Sequence, residues 1–127
     1  MVFNFLKQTK KDHLPEREVV QINGENIIFN SRGLIPAIIQ KIERKKTEVI
    51  DLIYMNPESL DLSIKSGEVY TYRRSTGQIE RLGMESETGY RIESIKLGKR
   101  HRSLLITVTA DDKLKDNRCF KIELFKK

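Results

Sequence analysis

The chain has 127 residues, 38% hydrophobic and 33% charged, which predicts one domain able to bury a core without staples. No apolar run approaches the roughly 18 residues of a membrane span. Met1–Leu6 is too short for a signal peptide, and the single cysteine, Cys119, excludes an internal disulfide framework, so a cytoplasmic protein is expected. The net charge of +6 points to an anionic partner such as phosphate, nucleotide, nucleic acid or an acidic surface, with a merely solvated basic surface as the alternative.

In chain order, residues 1–16 are basic and polar and read as an arm or short helix, leaving 17–127 as the folded domain. Glu18–Ile22 and Asn26–Asn30 flank Asn23-Gly24, a strong hairpin signal. Leu34–Ile42 and Glu48–Met55 are rich in β-branched residues and are joined by the polar loop Glu43–Thr47. Asn56-Pro57-Glu58 then opens a helix: Asn56 caps it, Pro57 suits the first turn and Glu58 complements the dipole. Leu60 and Ile64 are expected on its buried face, Leu62 off it, and Gly67 ends it. Val69–Arg74 and Gln78–Leu82 pair across Ser75-Thr76-Gly77. Arg91–Leu97, Leu104–Thr109 and Phe120–Phe125 complete the strands, with a bulge where Ile92, Ile95 and Leu97 break alternation. One helix among about eight short strands predicts an α+β domain with a mainly antiparallel sheet.

Gly33-Leu34-Ile35-Pro36-Ala37-Ile38-Ile39-Gln40 resembles the opening of phosphoribosyl-AMP cyclohydrolases. The similarity continues through Tyr54-Met55-Asn56, Glu58, Leu60, Ser66-Gly67-Glu68, Tyr72, Arg74-Ser75 and Gly83, and covers about Gly33–Phe120. The resemblance implies hydrolytic opening of the adenine ring of N1-(5′-phosphoribosyl)-AMP in histidine biosynthesis. It also implies an intertwined homodimer with sites at the subunit interface, a zinc ion held by three cysteines and a magnesium-type ion held by aspartates. Zinc lowers the pKa of bound water; a hard cation on carboxylates neutralises phosphate.

The chemistry-bearing segments depart from that pattern. Where the family has Asp-Cys-Asp-x-Asp, this chain has Gly98-Lys99-Arg100-His101-Arg102, so the three aspartates become Gly98, Arg100 and Arg102 and the cysteine becomes Lys99. Arginine cannot lose its proton and cannot ligate a metal. In the second zinc segment only Cys119 matches a thiolate position. Asp112 falls at the other cysteine, Lys113 at the histidine and Arg118 at the serine. Asp112 and Cys119 form a poor remnant, since zinc needs three or four good donors; Cys119 is expected instead as a small buried strand residue. In a third segment Glu80 and Leu82 replace tryptophan and lysine, Gly83 and Ser86 remain, and Glu85, Glu87 and Thr88 differ.

Arg73, Arg74 and Ser75, at a strand end before a turn, are candidates for holding phosphate together with Lys99, Arg100 and Arg102. The alternative for Arg73 and Arg74 is a plain surface strand end. His101 reads as an exposed loop residue or an anion contact; His13 has no partner donor in sequence. Tyr54, Tyr70 and Tyr72 could stack a base, although alternate strand positions favour cross-strand packing for the latter two. Three functions stand open. One is a metal-free module that binds a nucleotide or phosphoribosyl anion and is inactive in zinc-dependent ring opening. The second is an active cyclohydrolase with a rearranged site. The third is a basic protein- or nucleic-acid-interaction module that uses Lys7–Lys11 as well.

Overall fold

The computed structural model describes residues 17–84, 89–110 and 119–127. The expected arm over 1–16, His13, Ser86, Glu85, Glu87, Thr88 and Asp112 lie outside them. The described elements are β1 (Val19–Ile22), β2 (Glu25–Ile28), β3 (Ile35–Glu43), β4 (Lys46–Met55), α1 (Pro57–Ser66), β5 (Tyr70–Arg73), β6 (Gln78–Arg81), β7 (Tyr90–Leu97) and β8 (Leu104–Ala110). This is the expected α+β class, mostly antiparallel and with one helix among the described residues.

The principal sheet has the order β4-β3-β8-β7, and β1-β2 and β5-β6 form two separate hairpins. β3 and β8 run parallel at its centre, while the other pairs are antiparallel. Two of the turns are explained by left-handed backbone. Asn23 (φ 52°) and Gly24 (φ 80°) close β1-β2, and Arg44 (φ 52°) and Lys45 (φ 67°) close β3-β4. Such two-residue turns match strand twist. The Glu43–Thr47 loop is therefore tighter than the sequence suggests, because Lys46 and Thr47 already pair with Glu43 and Ile42.

Strand alternation puts Ile35, Ala37 and Ile39 of β3, Ile53 and Met55 of β4, and Leu104, Ile106 and Val108 of β8 into one core with Phe29, Leu60, Val69 and Tyr90. The expected bulge in β7 falls between Ile92 and Ser94, and a second register shift in the β3-β4 ladder falls between Ile39 and Gln40.

Helix α1 starts and stops as expected. The Asn56 side chain accepts from Ser59 N–H, the Ser59 hydroxyl accepts from Asn56 N–H, and Gly67 ends the helix in the left-handed region. Its buried face differs, however: Ser59, Leu60 and Ser63 are buried, whereas Ile64 is 43% exposed. Hydrogen bonding decides this. The Ser63 hydroxyl donates to Ser59 C=O and accepts from Tyr70 N–H, so the serine face stitches the helix to β5 and turns Ile64 outward.

The expected strand over Phe120–Phe125 does not form within the chain. Among the described residues no strand pairs with it, and Phe120, Ile122, Leu124 and Phe125 are exposed. Cys119 is likewise exposed rather than buried; its N–H donates to Ile50 C=O on the edge strand β4.

Candidate anion site at one end of the sheet

The turn between β7 and β8 is built by its backbone. Gly98 N–H donates to Ser103 C=O at 2.8 Å, and His101 N–H donates back to Gly98 C=O at 2.8 Å. His101 takes a left-handed φ of 64°. The β1-β2 hairpin clamps the turn from outside. Ile28 N–H donates to His101 C=O, and His101 Nδ1 lies 2.7 Å from Asn26 C=O, a contact in which the ring nitrogen is the donor because a carbonyl only accepts. His101 is thus a half-buried latch rather than a freely exposed loop residue.

Because the backbone closes the turn, its side chains are uncommitted. Lys99, Arg100 and Arg102 are exposed and make no hydrogen bond or ion pair among the described residues. A side chain at Gly98 meets a different fate: an added Cβ would sit 2.4 Å from Ser103 Oγ. A side chain at that first position therefore requires Ser103 Oγ to move.

The Arg73–Ser75 group is partly committed. Arg73 Nε donates to Glu80 Oε1 at 2.8 Å, the diagonal partner across β5-β6, since Arg73 pairs with Gln78. Arg74 stacks its guanidinium over the Tyr54 ring, 4.8 Å from the centroid. Thr71 Oγ1 donates to Tyr54 C=O, which ties β5 to the end of β4. The sequence does not reveal that Tyr54 serves as a platform for Arg74, or that Glu80 occupies Arg73. The second is a register effect readable only once β5-β6 pairing is known.

Register brings the two basic groups to one end of the sheet. Tyr54 pairs with Pro36, and Ala37 pairs with Leu104, the first residue of β8 after the turn. Two strand spacings, about 10 Å, separate β4 from β8.

Cys119 belongs elsewhere. It touches Ile50 on the outer strand β4, two strand spacings or roughly 10 Å across the sheet from β8. Local burial first, and then the hydrogen bond to and negative charge of Asp51, push its thiol above the usual cysteine range. A thiol held protonated is a weak ligand and a weak nucleophile. Among the described residues no three His, Cys, Asp or Glu side chains converge as a metal site. The donors that remain at Gly98–Arg102, one glycine, one lysine, two arginines and a histidine committed to Asn26, do not fit a divalent cation.

Fold and site together define a small α+β domain with a basic turn, Gly98–Ser103, at one end of its principal sheet. The chain is 36% identical over 80 residues to the phosphoribosyl-AMP cyclohydrolase of Acidiphilium cryptum, covering 63% of this chain and 67% of that protein. It is 33% identical over 84 residues to the enzyme of the same name from Halorhodospira halophila, covering 66% of this chain and 58% of that one. With the histidine biosynthesis bifunctional protein HisIE of Caldanaerobacter subterraneus it shares 38% identity over 89 residues, 70% of this chain but 42% of that protein, so it spans about two fifths of this bifunctional relative. No family-wide sequence profile matches the chain. The chain belongs to the phosphoribosyl-AMP cyclohydrolase family.

Proposed function

We propose that this chain binds the phosphate of a nucleotide or phosphoribosyl compound directly through Lys99, Arg100 and Arg102, with Arg74 and Ser75 completing the site, and without zinc or magnesium. The observation that carries this reading is the Gly98–Ser103 turn. Backbone hydrogen bonds from Gly98 to Ser103 and from His101 to Gly98 close it, and its cationic side chains are uncommitted among the described residues. Guanidinium forks recognise phosphate oxygens bidentately, so they can take over the charge neutralisation that a hard cation performs. Arg74 is pre-oriented by stacking on Tyr54, which lowers the entropy lost when it binds. Without a zinc-activated water the ring-opening step has no source of hydroxide, and the chain acts as a binding member of the family. It acts as a homodimer, with the site near the subunit boundary.

Calorimetric titration of the full chain with AMP and with phosphoribosyl-AMP tests this. Saturable binding that the paired substitutions Arg100→Ala and Arg102→Ala weaken at least tenfold is the expected result. No heat at millimolar ligand would end the proposal.

A second reading, an active cyclohydrolase with a rearranged site, is favoured by the names of the relatives. It requires a ring-opening absorbance change with phosphoribosyl-AMP in the presence of zinc, and stands or falls on that assay. A nucleic-acid role rests on net charge alone. It predicts affinity that falls steeply as salt rises.

A further inference from the structure

The basic turn carries one titratable ring that its cations do not account for. His101 sits between Arg100 and Arg102, and its Nδ1 lies 2.7 Å from Asn26 C=O. A carbonyl oxygen only accepts, so Nδ1 carries a proton in every state that keeps this contact. The backbone holds the ring in place. Ile28 N–H donates to His101 C=O at 2.8 Å, and His101 N–H donates to Gly98 C=O at 2.8 Å. The residue holds a left-handed φ of 64°, a region that histidine and asparagine enter more readily than most side chains.

The consequence falls on the other ring nitrogen. With Nδ1 fixed as the donor, the neutral ring keeps its lone pair at Nε2, which then only accepts. Ionised phosphate and sulfate oxygens also only accept, so the neutral ring repels an oxyanion at that atom. Protonation reverses this, because Nε2 becomes a donor and the ring gains a positive charge. Nε2 has no partner among the described residues. Both nitrogens of the charged ring donate, so the contact with Asn26 survives protonation. The ring changes its chemistry while the turn keeps its shape.

The charges around the ring are few. Lys99, Arg100 and Arg102 lie on its own turn, and Lys96 stands near the end of β7. On the β1-β2 hairpin that clamps it, Glu25 beside Asn26 is the titratable side chain, with Arg17 and Glu18 just before β1. β8 carries none. The neighbouring cations oppose a further positive charge on the ring, and a bound anion removes that opposition. Proton and anion therefore favour each other's binding, reciprocally.

We propose that His101 is a proton-dependent anion contact. The bond from Nδ1 to Asn26 directs the proton gained on acidification to Nε2, and the turn binds an oxyanion more tightly once the ring is charged. This rests on the anion-binding reading given above and adds a regulation of that same site. Imidazole side chains change charge between about pH 5 and pH 8. A phosphate monoester gains a proton of its own at about pH 6, which works against the effect. Sulfate keeps both charges throughout and is the cleaner probe.

Nuclear magnetic resonance titration of the full chain with sodium sulfate at constant ionic strength tests it. The readouts are the amides of residues 99–102 and the His101 ring, at about pH 5.5 and about pH 8. The wild type should bind sulfate at least about fivefold more tightly at the lower pH. His101→Asn keeps the left-handed backbone accessible and removes the ionisable ring, so it should bind with one affinity at both pH values. Ring nitrogen shifts at the higher pH should show the neutral tautomer with its proton on Nδ1. Equal wild-type affinity at both pH values would overturn the proton dependence and leave the anion site standing. Proton dependence that persists in His101→Asn would overturn the role of His101. A neutral ring protonated on Nε2 would overturn the directing role of Asn26. Absence of sulfate and AMP binding at either pH would overturn the anion site and this inference together.

Discussion

The segment Asn56–Tyr70 and the turn Gly98–Ser103 both join strands, but they are held in opposite ways. In the first, side chains make the structure: Asn56 and Ser59 cap each other, Ser63 bridges Ser59 to Tyr70, and Leu60 fills the core. In the second, the backbone makes the structure, and the side chains of Lys99, Arg100 and Arg102 project outward. A segment held by its side chains cannot change composition without losing stability. A segment held by its main chain can change its outward side chains and keep its shape. The helix that fills the core is of the first kind and the basic turn of the second.

Substitutions can break or sharpen this contrast. The largest loss should follow Leu60→Ala, about 3 kcal/mol, because a nearly solvent-free side chain leaves a cavity; urea denaturation measures it. Ser63→Ala should cost about 2 kcal/mol by leaving the half-buried Tyr70 N–H without its acceptor. Gly98→Asp, which places a side chain at the start of the turn, should cost roughly 1–3 kcal/mol through overlap with Ser103 Oγ. Adding Ser103→Ala should recover part of that loss in the same denaturation assay. By contrast, Arg100→Ala with Arg102→Ala should shift stability by less than about 0.5 kcal/mol, since neither side chain has a partner in the turn. A loss as large as that of Ser63→Ala would erase the contrast.

The smallest effect concerns Cys119. With its thiol pushed up by local burial and by Asp51, alkylation should rise with pH only beyond the usual cysteine range. Asp51→Asn removes one of the two causes. It should lower the pH at which alkylation accelerates and raise the rate near neutrality by less than about tenfold.

Much of the fold is legible in the residues. Asn23-Gly24, the Asn56-Pro57 start and the Gly67 stop are local signals, and each is satisfied locally. The buried face of α1 is not legible in the same way. Ile64 outranks Ser63 on any hydrophobic scale, and only the approach of Tyr70 shows why a serine belongs inside. Phe120–Phe125 has the pattern of a strand, but a pattern specifies which side is apolar and not whether a neighbouring strand pairs with it. At the candidate site, the cationic identity of Gly98–Arg102 is plain from sequence. The latch from His101 to Asn26 joins residues 75 positions apart and has no local signature. The same holds for Arg73, whose commitment to Glu80 follows from register.

The parallel pairing of β3 with β8 also bears on folding. Gln40 and Thr107 hydrogen-bond across that pair although they are 67 positions apart, so the middle of the sheet needs contacts that are distant in sequence. The hairpins and α1 are local and can form while β8 is still being synthesised; β3 meanwhile offers one open ladder edge and waits. Closing so long a loop costs only the slow logarithm of its length in entropy, but it makes assembly of this small domain a late, all-at-once event instead of a progressive one.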